Sequence, residues 1–302
     1  MLGSLGLLLL AVLPGTATAW SSTGHMIIAQ IAYDELSPPA RAEADRLILR
    51  LAAADPPTAD FVPASVWMDG ERQLGFRGHD RWHYINLPIN ADGLRAVKPA
   101  AEDNVVAAIR SMERTLQNPE AGDFQRALAL RYLLHMVGDV HQPVHCVARF
   151  TLELPEGDRG ANDFQIFGDE QSTAGATNLH AYWDRTLGIF PWVEADGSWA
   201  EEIPRFAAVT LKQVPRSLEP VAIEDPEVWA REGFHLAKEF VYRGIESGGT
   251  PSEEYRRRAE PVIYRQLALG GWRLAVLLES ALLDGKASPS LATDSPAGSG
   301  AR

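Results

Sequence analysis

The segment from Leu134 to Cys146 reads LHMVGDVHQPVHC and contains three histidines and an aspartate. His135 and Asp139 are four residues apart, so on a helix their side chains lie on one face and can reach one ion. Pro143 interrupts the helical pattern, because proline cannot donate the backbone hydrogen bond that a helix interior needs. We therefore expect His145 to return toward the same site from the segment that follows.

His180 and Asp184, in the sequence NLHAYWD, repeat this spacing. A single His–Asp pair is also explained by a hydrogen bond, but two such pairs among only eight histidines favour a metal site. Imidazole and carboxylate ligands without thiolates are typical of catalytic zinc. Three residues elsewhere in the chain are further candidate ligands: His25, Asp69 and His83.

Residues 1–19 read MLGSLGLLLLAVLPGTATA and have the features of a secretory signal peptide. A short apolar core precedes the A-x-A cleavage pattern at residues 17–19, although no Lys or Arg precedes that core. The competing interpretation is an uncleaved anchor. Cleavage after Ala19 would make Trp20 the first residue, and its α-amine could then share a metal with His25. This predicts a periplasmic or secreted protein.

The acidic composition limits the functions that the chain can have. A formal net charge of −12 argues against a general basic groove for nucleic acid. It does not exclude a nuclease, because bound divalent cations concentrate positive charge where a phosphate must lie. The single cysteine, Cys146, excludes an intramolecular disulfide. We expect no stable membrane association and find no evident protein partner.

Helical periodicity dominates, which predicts an all-α fold: one mainly helical domain, residues 20–284, with a metal cleft between helices. The range from Thr151 to Thr177 could hold a short hairpin, and residues 285–302 have the composition of a disordered tail. The predicted helices are Gly24 to Leu36, Pro38 or Pro39 to Leu51, Ala101 to Leu116, Phe124 to Val140, Val228 to Tyr242, and Pro261 to Leu283.

Five motifs occur in order along the chain. They are W-x4-H from Trp20, W-x-D ending at Asp69, H-Y-I-N from His83, H-x3-D-x-H-Q-P-x-H from His135, and N-L-H-x3-D ending at Asp184. Together they resemble the zinc-dependent single-strand-specific nuclease and 3′-nucleotidase family, from Trp20 to about Leu283. That family shares a fold with bacterial zinc-dependent phospholipase C.

The resemblance implies three zinc ions. The implied ligand sets are Asp69, His83, His135 and Asp139; the amine and carbonyl of Trp20 with His25 and a bridging Asp139; and His145, His180 and Asp184. Asp69 also counts among the implied catalytic residues, together with Arg72 and Asn162, which would stabilise charge on the reacting phosphate. Asn162 falls in a loop that reads Gly-Ala-Asn where the family has Gly-Gly-Asn, so Ala161 is a departure from the pattern.

Tyr84 and Asn86 fall at the family's base-binding positions, where Tyr84 would stack on a base and Asn86 would bond to its edge. Asn86 stands where many eukaryotic members have aspartate, a departure that could change base preference. The resemblance implies cleavage of single-stranded DNA and RNA to 5′-phosphate products, with 3′-nucleotidase activity. The alternatives are a zinc-dependent phospholipase C and a zinc-binding protein without catalysis.

Several histidines and tryptophans are left over from these sets. We expect His141 to support the ligands, and His79 and His235 to be structural or surface residues. The tryptophans expected in the core are Trp67, Trp82, Trp183, Trp229 and Trp272.

Overall fold

The computed structural model describes residues 20–283, apart from the side chains of residues 218 and 219. The predicted signal peptide and tail lie outside these residues. The described chain is mainly helical, so the predicted fold class is confirmed. The α-helices are α1 (Ser22–Glu35), α2 (Pro38–Ile48), α3 (Phe61–Ala64), α4 (Trp67–Gln73), α5 (Val105–Gln117), α6 (Asp123–Val140), α7 (Glu170–Thr173), α8 (Leu179–Asp184), α9 (Trp199–Gln213), α10 (Leu218–Val221), α11 (Pro226–Leu236) and α12 (Glu253–Leu283).

Shorter elements connect these helices. The described residues contain two strands, β1 (Leu87–Asn90) and β2 (Val147–Phe150). There are 3₁₀ turns at Pro56–Thr58, Asp80–His83, Pro143–Cys146 and Thr186–Gly188, and a π-helical turn at Ala237–Val241.

The six predicted helices are all present, with ends that differ from the prediction by a few residues. The exception is α12, which begins at Glu253, well before the predicted start at Pro261. Proline is favoured in a first turn, but here it lies inside the helix and the charged segment before it is also helical.

The core is centred on α12, which packs against α1, α9, α5, α6 and α2. This helix is long and apolar enough to cross a membrane, yet 78% of its most apolar window is buried inside the protein. Its apolar surface is therefore covered by the other helices. Three of the five tryptophans predicted to be in the core are buried there, whereas Trp67 and Trp82 are half-buried.

The strands β1 and β2 form a parallel pair in which Leu87 lies opposite Val147. The hairpin predicted between Thr151 and Thr177 was wrong: the described backbone there has α7 and only isolated bridges, such as Gln165 with Asn178. The sheet matters for the site because it draws two distant segments together. Next to it, the Ile85 amide donates to the His145 carbonyl at 2.8 Å.

Side-chain caps fix the starts of the helices that matter for the site. Asn104 accepts hydrogen bonds from two amides at the start of α5, and Asn178 accepts one from the Ala181 amide at the start of α8. An asparagine before a helix satisfies backbone donors that lack an intrahelical partner. The cap at Asn178 therefore stabilises a helix of only six residues that carries two candidate ligands.

Candidate metal centre

Two helices place the His/Asp pairs that the sequence predicts. In α6, His135 Nε2 lies 3.2 Å from an Asp139 oxygen, and in α8, His180 Nε2 lies 3.1 Å from an Asp184 oxygen. Both contacts follow from the spacing of four residues on one helical face. Helix α6 ends at Val140, and the 3₁₀ turn at Pro143–Cys146 brings His145 back to the site, as predicted.

All nine predicted metal ligands are buried: Trp20, His25, Asp69, His83, His135, Asp139, His145, His180 and Asp184. The ligand atoms of the eight histidines and aspartates among them fall into three groups, and within each group all atoms lie within 4.8 Å of one another. These groups are His25, Asp69 and His135; His83, His135 and Asp139; and His145, His180 and Asp184.

The third group coincides with one of the ligand sets that the resemblance implies. The first two groups share His135 and therefore form a single cluster. Within it, Asp69 lies 3.8 Å from both His83 Nδ1 and His135 Nε2, and Asp139 lies 3.5 Å from His25 Nε2. The structure thus brings the eight side chains with His or Asp ligand atoms together at one site.

Three histidines are oriented by the backbone. In each, Nδ1 is 2.6–2.7 Å from a carbonyl oxygen, which leaves Nε2 facing the carboxylates. The pairs are His135 with Ser65, His145 with His83, and His180 with Gly160. A ring that donates from Nδ1 presents the lone pair of Nε2, which is how metal-ligating histidines are held.

Buried polar atoms without hydrogen-bond partners show that the site fits a cation. Such atoms normally find a partner, since an unsatisfied buried group costs about 1–3 kcal/mol. At this site the unpartnered atoms are His25 Nδ1 and Nε2, Asp69 Oδ1, Asp139 Oδ1, His145 Nε2 and Asp184 Oδ2. Imidazole nitrogens and carboxylate oxygens converging in this way are the donor set of a transition metal such as zinc. The site can therefore hold metal, as expected of this chemistry.

The charges of the buried groups are strongly coupled. Burial opposes the charged form of His135, but Asp139 and Asp69 outweigh that effect and raise its pKa to about 9. Burial also opposes ionisation of Asp139, yet His135 and His145 hold its pKa well below the usual value. Asp139 is thus a carboxylate that requires positive charge beside it, supplied by imidazolium or by a metal.

The N-terminal ligand candidates pack against α6. The Trp20 indole nitrogen donates to the Gly138 carbonyl at 3.0 Å, and His25 stacks on His135 with ring centroids 3.9 Å apart. A Cβ at Gly138 would lie 2.6 Å from His25 Nδ1. Glycine at position 138 therefore allows the His25 ring to pack directly against the helix beside Asp139.

A cleft of about 920 Å³ opens over the metal-ligand groups. It is lined by the remaining residues predicted to act on substrate, namely Arg72, Tyr84, Asn86 and Asn162, together with His83, His145, His180 and Asp184. The Arg72 guanidinium forms an ion pair with Asp80 at 3.3 Å, which restrains it at the edge of the cleft. The predicted substrate-binding residues thus share one cavity with four of the predicted metal ligands.

The loop that carries Asn162 has an unusual backbone. Ala161 is buried with a φ of 66°, a left-handed conformation that costs a residue with a side chain about 1–2 kcal/mol. Its carbonyl accepts from the His180 amide at 3.3 Å, and Asn162 Nδ2 donates to the Arg159 carbonyl at 2.8 Å. Alanine in place of the family's second glycine is thus accommodated, and Asn162 still faces the cleft.

His141 was expected to support the metal ligands, but the neighbouring Gln142 forms the hydrogen bond to a ligand instead. His141 is buried away from the cluster, where Nδ1 bonds to the Val137 carbonyl and Nε2 accepts from Arg273 at 3.1 Å. Burial and Arg273 lower the pKa of His141 to about 3, so it is neutral. Gln142, which the sequence analysis missed, donates to Asp184 at 3.2 Å.

His79 and His235 lie outside the ligand groups, as expected. His79 is half-buried, stacked on Trp82 with centroids 4.3 Å apart, and bonded to the Tyr132 hydroxyl at 2.7 Å. His235 is exposed on α11. A second missed residue is Asp158, whose carbonyl accepts from the Asp163 amide next to Asn162 and whose carboxylate accepts from the Arg149 amide and the Tyr242 hydroxyl.

Comparison with known proteins agrees with this geometry. A sequence model described as S1/P1 Nuclease matches residues 20–283. "Endonuclease 2" of Arabidopsis thaliana is 26% identical over 86% of this chain and 89% of its own length, and "Endonuclease 1" is 25% identical over 93% and 92%. "Nuclease S1" of Aspergillus oryzae is 22% identical over 86% of this chain and 91% of its own length. The chain therefore belongs to the S1/P1 nuclease family, and the predicted enzyme class, a nuclease that hydrolyses phosphodiester bonds, is confirmed.

Proposed function

We propose that this nuclease cleaves single-stranded DNA and RNA to products with 5′-phosphates, and hydrolyses 3′-nucleotides, with three zinc ions. The observation that carries the proposal is the set of buried His/Asp groups beneath a cleft that also contains Arg72, Tyr84, Asn86 and Asn162. A cleft of this size accommodates nucleotides. Bound zinc would place positive charge at the base of the cleft, which would offset the repulsion between a phosphate and this acidic protein.

The proposed zinc ions would be held by the nine buried ligands, with Trp20 contributing its amine and carbonyl. Zinc in this donor set would polarise a bound phosphate ester and neutralise the charge that develops during its cleavage. Asp139 would join two ions, since one of its oxygens faces His25 and the other faces His83 and His135. The carboxylate of Asp184 would serve the third set with His145 and His180.

Arg72 and Asn162 are the side chains proposed to stabilise the reacting phosphate. Both line the cleft, and both are restrained, Arg72 by Asp80 and Asn162 by the Arg159 carbonyl. Donors that are fixed before the substrate arrives stabilise developing negative charge without further reorganisation. Asp69 would act with them through the metal that it ligates.

Single-strand preference follows from how a base reaches Tyr84. The Tyr84 side chain is half-buried in the cleft directly after the ligand His83. A base can stack on this ring only after it leaves the stack of a duplex, which an unpaired strand allows at lower cost. Asn86 both donates and accepts hydrogen bonds, so it can bond to base edges that present either group.

Export is part of the proposal because the Trp20 amine is a ligand only after cleavage. In the uncut chain that nitrogen belongs to a planar amide, whose lone pair is delocalised. We therefore infer removal of residues 1–19 and a periplasmic or secreted enzyme. A form with one extra alanine before Trp20 should bind less zinc and turn over slowly, and a fully loaded and active extended form would contradict this ligand.

The principal test compares four substrates: single-stranded DNA, the matching duplex, a 3′-nucleotide and phosphatidylcholine. We expect cleavage of the single strand and the 3′-nucleotide, slow cleavage of the duplex, loss of both activities with chelator, and recovery with zinc. Preferential cleavage of phosphatidylcholine would instead indicate the phospholipase C activity considered above. Elemental analysis that finds only one zinc after repletion would refute the three-ion centre.

A variant separates the base pocket from the phosphate chemistry. Tyr84→Ala should lower kcat/KM on nucleotide substrates by about 5- to 150-fold, the cost of losing one base–aromatic stack. It should affect a generic aryl phosphodiester far less, because that substrate does not need the base pocket. Equal losses on the two substrates would argue against base stacking on Tyr84.

A further inference from the structure

Trp192 is an exposed aromatic side chain inside the cleft. In the described part of the chain, eight large hydrophobic side chains are exposed, and Trp192, at 52% exposure, is the one among them that lines this cleft. A single exposed aromatic side chain is ordinary on a protein surface, so the significant fact is its position in the cleft that the ligand residues also line. A half-exposed ring there can stack against a base that enters the cleft.

The backbone around Trp192 is fastened to the N-terminal ligand segment. The Thr23 hydroxyl donates to the Pro191 carbonyl at 3.0 Å and accepts from the Val193 amide at 2.8 Å. The Ser22 hydroxyl donates to the Val193 carbonyl. Residues 191–193 thus form a short strap that is held on both sides of the tryptophan.

The strap lies close to the ligand set of His145, His180 and Asp184. Ser21, directly before the residues that clamp the strap, lines the cleft and donates its amide to the Asp184 carbonyl at 2.9 Å. Tyr84 instead follows His83, which belongs to the other cluster. The exposed ring of Trp192 and the half-buried ring of Tyr84 therefore lie on separate segments of the chain, and both line the cleft.

The indole is also fixed at its edge. Trp192 Nε1 donates to a Glu194 carboxylate oxygen at 2.5 Å, which restrains the ring without covering its faces. Arg185, directly after Asp184, lines the same cleft and supplies positive charge for a phosphate backbone. An aromatic face and a cation in one cleft are the combination that binds single-stranded nucleic acids without strict base preference.

We propose that Trp192 is the stacking platform for a second nucleobase, so that the cleft binds nucleotides on both sides of the scissile phosphate. The inference rests on the proposed function. It adds a subsite for a nucleotide that a 3′-mononucleotide lacks, and it makes Trp192 a determinant of preference for polymeric substrates over mononucleotides.

The experiment compares Trp192→Ala with the wild-type holoenzyme on a single-stranded oligonucleotide and on a 3′-mononucleotide. On the oligonucleotide, kcat/KM should fall by about 5- to 150-fold, mostly through KM, because stacking is present in both the bound and the reacting complex. Hydrolysis of the mononucleotide should fall by less than about threefold, since it has no second base to lose. Trp192→Phe keeps an aromatic face and should recover most of the oligonucleotide activity.

Phe124→Ala is the matched control, because Phe124 is similarly exposed, at 59%, but lies outside the residues that line the cleft. It should leave both activities unchanged. Equal losses of the two activities in Trp192→Ala, or a loss on the oligonucleotide below about threefold, would overturn the subsite. A wild-type enzyme that cleaves no single strand would refute the proposed function itself, which is a separate outcome.

Discussion

Gly138→Ala tests whether close packing around His25 is needed for the metal centre. The new Cβ would lie 2.6 Å from His25 Nδ1 and 3.0 Å from its Cε1, whereas ordinary contact begins at 3.4 Å. His25 would have to move by about 0.8 Å, several times the tolerance of about 0.2 Å in metal–ligand distances. The ring cannot retreat freely, because its other neighbour is the stacked ring of His135.

Two effects on stability oppose each other in this variant. Alanine is favoured over glycine inside a helix by about 0.5–1 kcal/mol, whereas overpacking a buried site costs about 1–3 kcal/mol. The metal-free protein should therefore change little or lose up to about 2.5 kcal/mol. Metal affinity should fall by about 10- to 100-fold, the usual cost of disturbing a ligand's support. We would measure metal content after dialysis, turnover on single-stranded DNA, and unfolding of the metal-free form.

Gly270→Ala is the matched control in another buried helix. Its Cβ would meet His141 and Ile28 at 3.4 Å, which is ordinary van der Waals contact. This variant should keep full metal content and activity. A second comparison combines Gly138→Ala with His25→Ala: the double variant should lose no more metal than His25→Ala alone, because both changes act on one ligand. Full metal content and turnover in Gly138→Ala would refute the reasoning.

Three further predictions concern the ligands and the loop beside them. Asp139→Asn should lose more turnover and more metal than His180→Ala, because Asp139 faces four imidazoles; the opposite order would count against a bridging role. Ala161→Gly should leave the free energy of unfolding within about 1 kcal/mol of wild type, because relief of about 1–2 kcal/mol of backbone strain is offset by the lost methyl burial and the higher entropy of the unfolded chain. A melting experiment that shows a loss above about 2 kcal/mol would contradict this balance. Tyr242→Phe should destabilise the protein by about 1.5–3 kcal/mol at neutral pH, since a buried carboxylate loses a donor. Burial raises the pKa of Asp158 and the Tyr242 hydroxyl lowers it, so the variant's pKa is higher still. A carboxyl group whose pKa is raised in the folded protein loses stabilising free energy as pH rises through that pKa. The loss of stability in Tyr242→Phe relative to wild type should therefore be larger at neutral than at acidic pH. Denaturation curves that show the same loss at both pH values would contradict the prediction.

The sequence predicted local features of the site better than distant ones. The two His/Asp pairs depend only on helical spacing, and both pairs are in contact as expected. The return of His145 followed from Pro143, whose ring ends a helix by elementary sterics. The grouping of His25 and Asp69 with α6 depends on tertiary packing, and only the family resemblance indicated it.

The strands were missed because four-residue strands carry too little alternation to detect. The loop from Thr151 to Thr177 has the turn-rich composition of a hairpin, but its backbone is used to support ligands. Helix α12 was predicted too short because Pro261 resembles a start signal. The residues before it are helical because Tyr255 and Ala259 are buried against the core, and such packing overrides local propensity. Trp192 escaped notice because tryptophan is usually buried, and sequence alone does not show which one is exposed.

The metal centre also depends on backbone groups that no side-chain pattern encodes. The histidines His135, His145 and His180 are oriented by the backbone carbonyls of Ser65, His83 and Gly160, respectively. Replacing a residue's side chain leaves its backbone carbonyl in place. Glycines behave differently: a side chain at Gly160 would collide with the Val144 carbonyl. Gly160 also has a φ of 64°, which favours glycine. Substitution at Ser65 should therefore perturb the centre less than substitution at Gly160, although both residues lie outside every ligand set.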